Sequence, residues 1–281
     1  MNNGKLERVR EYSKHAVLII LLLLTILPIY ILITMSLKAN FQIKIDIFGL
    51  PNPVRLSNYN QAFDKLLGNL FNSVIISTVS TVSIMFLSAI VGFTFSRLEF
   101  PGKKVLYIAI LILMMVPSVV TLAPLIKLIE TLHLRDTWWA LYLPYLAGGQ
   151  VMGSVLTKNF LDGQPEELYK AAMIDGANTA KLFSKICLPL AKPILATIFV
   201  MNAVNIYNDY FTPFMFLESM DKMPITVALR LFNVKFVEGA SGAESGMMYA
   251  GYVLSTIPLL LIFLFGSRVY IEGLTSGAVK M

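Results

Sequence analysis

The chain has 281 residues, of which 56% are hydrophobic and only 14% charged, with a mean hydropathy of +0.70. Soluble domains carry about a quarter charged residues, so the composition argues against a water-soluble enzyme and for an integral helical membrane protein. The formal net charge is +6, but no basic patch interleaved with aromatic residues accompanies it, so the charge reads as membrane topology and not as nucleic-acid binding.

Apolar runs long enough to cross a bilayer, about 20 residues each, predict six spans over 16–37, 70–95, 105–126, 138–157, 193–216 and 247–267. A charged lead (Lys5, Glu7, Arg8, Arg10, Glu11, Lys14) precedes the first. Its apolar run is longer than the about 7–15 residues of a signal peptide and lacks a small-residue cleavage site, so it reads as a retained span. Six spans place both ends on one side. That side, with the 96–104 and 158–192 loops, holds 14 Lys and Arg against 9 on the other. The bias predicts a cytoplasmic N-terminus over 1–15, a cytoplasmic C-terminal tail over 268–281 and a cytoplasmic 158–192 loop.

Span two carries Asn72, Ser73, Ser77, Thr78, Ser80, Thr81, Ser83 and Ser88. Small hydroxyl residues let helices approach and hydrogen-bond, so helix packing is favoured over a path lining. Gly149 and Gly153 in span four form a small-xxx-small pair with the same packing reading. The loop that follows reads as a helix–turn–helix. Pro165 suits the first helical position, Glu166 and Glu167 the first turn, and Leu168, Ala171, Ala172 and Asp175 share a face. Gly176 stands where a left-handed stop is needed. Asn178 or Thr179 is suited to cap a second short helix bearing Leu182, Phe183 and Ile186, and Pro189 and Pro193 mark the entry to span five.

Within span five, Asn202, Asn205 and Asp209 recur at i, i+3 and i+7. Intramembrane carboxylates face a bundle interior or water, and Asp209 lies roughly 24 Å beyond Pro193 at 1.5 Å per residue. A polar translocation path and an interhelical hydrogen-bond network both accommodate this face; the path is favoured. Residues 217–246, with Gly239, Gly242 and Gly246, read as a loop on the outer side. The single Cys187 excludes an internal disulfide and suits packing. His15 and His133 lie near opposite membrane faces, no metal site is expected, and no phosphate loop, dinucleotide fingerprint or nucleophile elbow is present. No catalytic residue is assigned, and ATP hydrolysis would fall to another subunit.

Ala171-Ala172, Gly176, Ile186 and Leu188-Pro189, at their spacing, resemble the "EAA" loop of ABC-importer permease subunits. Leu190-Ala191-Lys192-Pro193, Asn58-Tyr59, Ala62-Phe63, Asn72-Ser73, Asp175-Gly176-Ala177 and the terminal Gly277-Ala278-Val279-Lys280 are similar to the maltose/multiple-sugar branch. The resemblance covers nearly the whole chain. It departs at Lys170, where the family has a glutamate, and at Tyr207-Asn208, where Trp-Asn is common.

The resemblance implies an all-α, multi-span permease subunit of a carbohydrate-uptake ABC importer in a prokaryotic cell membrane, with a single transmembrane domain over 16–281. Its coupling loop would be 162–192, with Glu167, Lys170, Ala171, Ala172, Asp175, Gly176, Ile186, Leu188 and Pro189 facing the ATPase. The path would be lined by Asn202, Asn205 and Asp209, and the outer loop could probe a binding protein. The implied partners are a second, related permease, two ATPase subunits holding ATP and Mg, and an extracytoplasmic solute-binding protein. The alternatives are an ion-gradient-driven secondary transporter, an ABC permease for a non-sugar solute and an intramembrane enzyme. The patterned cytoplasmic loop disfavours the first, and the lack of a nucleophile–base or metal constellation disfavours the last.

Overall fold

The computed structural model describes the backbone of residues 3–238 and 245–278, and the side chains of 10–117, 119–231 and 245–264. Gly239, Gly242, Val279 and Lys280 lie outside the described residues. All regular structure among those described is helical. In chain order the helices are α1 (Asn3–Ser36), α2 (Asn40–Ile45), α3 (Ser57–Arg97), α4 (Lys103–Met115), α5 (Ser118–Thr131) and α6 (Trp139–Asp162). There follow α7 (Glu166–Ile174), α8 (Thr179–Lys181), a π-helical turn over Leu182–Cys187, α9 (Leu188–Asn208), α10 (Phe211–Phe216), α11 (Ile225–Glu238) and α12 (Ser245–Ala278).

Four stretches are long and apolar enough to cross a membrane: Arg10–Ser36, Ser57–Arg97, Thr179–Asn208 and Ser245–Leu264. A fifth arises if the bent pair α4 and α5 counts as one span. The expected span 138–157 corresponds to α6, which is not among these stretches, and the expected second span begins earlier, at Ser57.

Three expectations need correction. The expected span 105–126 is broken by a 102° bend. Pro117 explains it: the residue before a proline is pushed out of the helical region, and Val116 sits at φ −78°, ψ 116°. The expected span 193–216 instead runs from Thr179 and stops at Asn208, so the second helix of the predicted hairpin is continuous with the span. The π-helical turn, in which Leu188 N–H donates to Phe183 O, directly precedes Pro189, whose ring in a regular helix would press on the Lys185 carbonyl. Finally, 217–246 is not a plain loop, because α11 occupies Ile225–Glu238 and buries Ile225, Val227, Ala228 and Leu229.

By its internal contacts the chain forms two compact units, residues 1–67 with 229–256, and 68–228 with 257–281. The second holds the predicted site residues. Its interior shows why Gly149 and Gly153 are glycine. A Cβ at Gly149 would meet Ile84 Cδ1 at 2.5 Å and Asn202 Oδ1 at 2.8 Å, and one at Gly153 would fall on Ser88 Oγ. Gly92 faces Thr157 in the same way. The pairs 84/149, 88/153 and 92/157 climb both helices in steps of four, so α3 and α6 run parallel in close contact. This is the packing role expected of small residues in lipid, where dispersion replaces the hydrophobic effect between helices. Ser73, Ser77, Ser80, Thr81 and Ser88 are buried, and α6 packs further against α9.

Candidate functional site

The hairpin is built almost wholly from local chemistry. Glu166 and Glu167 lie in the first turn of α7, and Pro165 is its N-cap, one residue before the expected position. Gly176 takes φ +78°. Its N–H donates to Met173 O at 3.1 Å and that of Ala177 to Ala172 O at 2.9 Å, the paired bonds of a Schellman stop. Of the two candidate caps the structure selects Asn178, whose Oδ1 accepts from Lys181 N at 2.9 Å. Lys170 Nζ lies 3.3 Å from Glu166 Oε1 in an exposed i,i+4 pair.

One side of α7 is anchored. Tyr169 is buried, with the Arg97 guanidinium 4.1 Å from its ring centroid, and burial pushes the phenol above its ordinary range. Arg97 also donates to Leu161 O, and to Gln164 O at 3.0 Å. The rest of the helix is open: Glu167, Leu168, Lys170, Ala171, Met173, Ile174 and Asp175 are exposed, Ile174 at 86%, and Ala172 is half-buried. Sequence reasoning missed Met173 and Ile174, although both stand beside the predicted Ala172. Ile186 sits half-buried in the π-helical turn, while Leu188 and Pro189 lie at the start of α9 and line a large apolar groove with Lys192, Leu195 and Phe199.

Asn202, Asn205 and Asp209 do come together, but not on one helical face. They line a concavity of about 240 Å³ with Tyr145, Gly148, Gly149 and Ile206. Asp209 is already outside α9, with extended backbone at φ −67°, ψ 122°. Its Oδ1 accepts from Phe211 N at 2.9 Å and Thr212 N at 3.2 Å, and its Oδ2 accepts from Tyr145 Oη–H at 2.8 Å. Short acidic side chains compete in this way with helix propagation, so the residue expected on the span's face ends the helix and opens the next. Asn202 Nδ2 donates to Ile198 O at 2.8 Å, leaving its carbonyl oxygen toward the concavity. Asn205 is exposed and makes no side-chain hydrogen bond among the described residues. Tyr145 is the member the sequence did not reveal.

A clasp lies elsewhere in the same unit. Asp136 accepts from Glu218 N and Ser219 N, both at 2.9 Å, from Ser219 Oγ–H at 2.5 Å and from Lys222 Nζ at 2.8 Å. Lys222, then Ser219 and the backbone amides, hold the Asp136 carboxyl well below the usual carboxylate range. Arg135 bridges Glu130 and Glu218, and Asn69, Asn72 and Ser73 fasten 220–225 through backbone bonds. Among the described residues no group of three or more His, Cys, Asp and Glu is placed to hold a metal. Cys187 is free and buried.

The family described as "Binding-protein-dependent transport system inner membrane component" matches residues 84–272. The trehalose transport system permease protein SugB of Mycobacterium tuberculosis (strain CDC 1551 / Oshkosh) is 33% identical over 91% of this chain and 92% of its own. The arabinooligosaccharides transport system permease protein AraQ of Bacillus subtilis (strain 168) is 28% identical over 92% of each. A bacterial ABC transporter involved in the import of the acidic polysaccharide alginate matches in fold, with a TM-score of 0.83 at 21% identity over 93% of this chain and 96% of that one. A family match over two thirds of the sequence and relatives aligned along nearly its full length agree, and the chain belongs to the binding-protein-dependent inner-membrane components, the multi-pass permease subunits of importers.

Proposed function

We propose that this chain forms half of the translocation path of an ATP-driven importer for a sugar or oligosaccharide, and that α7 is its coupling helix. The observation that carries the coupling role is the exposure of most of α7, including Leu168, Ala171, Met173 and Ile174, on a helix anchored by Tyr169 and stopped by Gly176. Such a helix fits a groove on a cytoplasmic ATPase by helix-in-groove recognition. Two ATPase subunits, binding ATP and Mg, would supply the hydrolysis for which this chain carries no motif. A second, related permease would complete the path, and an extracytoplasmic binding protein would deliver the solute. Relatives named for trehalose and arabinooligosaccharides support the sugar class, as does the neighbouring importer described in complex with an alginate-bound periplasmic protein. The excess of Lys and Arg beside 96–104 and 158–192 supports cytoplasmic termini.

The concavity fits a polyhydroxylated solute. Its amides donate and accept, and a sugar stripped of water needs such replacements. Asp209 serves there chiefly by holding the α9–α10 break and Tyr145 in place, while Asn202 and Asn205 offer the open polar groups. A pull-down of the ATPase subunit tests the coupling role. Ile174→Asp puts a charge on the most exposed apolar side chain of α7 and weakens attachment more than Lys170→Ala does. The reverse ranking would assign docking to Lys170 and withdraw Ile174 from the contact.

A further inference from the structure

The segment between α1 and α3 is built inside out for water. Lys38 is fully buried at 0% exposure, while Phe41, Ile45, Ile47, Phe48 and Leu50 stand out, Ile45 at 77%. Lysine is among the residues least often buried, and here Lys38 and Gln42 are both turned inward. Lys38 Nζ donates to Asp46 O at 2.7 Å and Ile47 O at 3.1 Å. Gln42 Nε2 donates to Leu50 O at 2.8 Å, and its Oε1 accepts from Asn52 N at 3.1 Å. Asp46 Oδ1 accepts from Gly49 N at 2.8 Å. The non-helical backbone of 46–52 is thus supplied with partners by the buried Lys38 and Gln42 and by Asp46, and large apolar side chains stand on the outside. Irregular backbone at membrane depth survives only with its polar groups satisfied internally.

The segment's position agrees. Tyr30 Oη–H donates to Phe48 O at 2.9 Å, and Tyr30 lies about 9 Å back along α1 from Ser36 at 1.5 Å per residue. The chain therefore folds back beside a membrane-crossing helix instead of leaving for solvent. None of the most apolar window of α1 is buried within the chain, so the segment continues an uncovered, lipid-compatible surface.

We propose that residues 40–50 form a re-entrant wedge seated in the bilayer interface where α1 emerges. In it Lys38 and Gln42 replace water for the backbone, and Phe41, Ile45 and Phe48 meet the acyl-chain boundary. The exposed Lys44 and Arg55 reach toward headgroup phosphates while their stems lie on the apolar surface. A docked protein is the rival occupant, and it leaves the inward turning of Lys38 and Gln42 unexplained. The proposal rests on the membrane reading of α1 and is independent of the coupling role of α7.

Collision accessibility of a nitroxide tests it in the assembled importer, in vesicles of phosphatidylcholine and phosphatidylglycerol. The label is placed on Ile45→Cys, Phe48→Cys or, as an exposed reference, Asp64→Cys, each combined with Cys187→Ala. Oxygen, which concentrates in lipid, is expected to outcompete a water-soluble nickel chelate severalfold at 45 and 48, with the order reversed at 64. Chelate dominance at 45 and 48 overturns the wedge, and so does shielding from both reagents, which would mean a protein covers the face. Lys38→Met, which keeps the stem and removes the donors, is expected to raise chelate collisions at 48 at least twofold; unchanged collisions would remove Lys38 from the account. The accessibility at 45 and 48 decides the wedge even if that variant fails to assemble.

Discussion

The α7 hairpin and the clasp between 130–138 and 216–226 are both small polar structures, and they are held over very different distances along the chain. In the hairpin, the Gly176 stop, the Asn178 cap and the Glu166–Lys170 pair all join residues within five positions of one another. In the clasp, Asp136 reaches Glu218, Ser219 and Lys222 across 82 to 86 positions. A structure closed by its own short bonds keeps its shape when its surroundings move, as the coupling helix proposed for α7 must. A structure closed by distant segments holds those segments together and resists their separation.

The largest expected effect is at the clasp. Asp136→Ala removes the acceptor for four donors, each bond worth about 0.5–1.5 kcal/mol net. A loss of about 2–4 kcal/mol is expected, read as a lower unfolding temperature of the purified complex. The carboxyl is also depressed in the folded state, so its contribution is complete above the ordinary aspartate value of about 3.9 and is lost as pH falls from there toward the folded value. Acidification from about pH 5 to 3 should destabilise the native chain more steeply than Asp136→Asn; equal slopes would show that another carboxylate governs acid stability.

Next in size is the concavity. An unpaired sugar hydroxyl costs about 1–3 kcal/mol, so Asn205→Leu should lower uptake about tenfold, or change which sugar passes, with assembly retained. A subunit lost from the membrane would mark Asn205 as a packing residue instead. The smallest effect belongs to the hairpin's own ion pair: Lys170→Ala should cost about 0.2–0.5 kcal/mol, visible in the helicity of the loop and scarcely in transport. A large transport defect there would break the contrast, because an exposed local pair would then carry long-range work.

The same contrast explains what could be read in advance. Gly176, the first-turn acids and the capping amide are legible because their partners lie within a helical turn, and the apolar runs are legible because the bilayer sets their length. The break at Asp209 was hidden because spacing alone registers i, i+3 and i+7, whereas the carboxylate's bonds to Phe211 and Thr212 decide where the helix stops. Pro117 did give a local signal, masked by the apolar residues on either side. Tyr145, Asp136 and Lys38 had no local signature at all: each earns its role from a partner brought near by the fold, a backbone carbonyl in the case of Lys38.

The proposed coupling role of α7 is tested most directly at Gly176. A β-branched side chain at φ +78° strains the backbone by about 1–2 kcal/mol, and nothing lies within 4 Å of the site to clash with the first added carbon. Within this chain the substitution therefore acts through the turn, and retained ATPase attachment separates that from a clash with the partner. Uptake per assembled complex should be measured for Gly176→Val in vesicles supplied with ATP and the binding protein. The account predicts that uptake falls severalfold while the subunit inserts and retains its ATPase; normal uptake with normal ATPase attachment would contradict it.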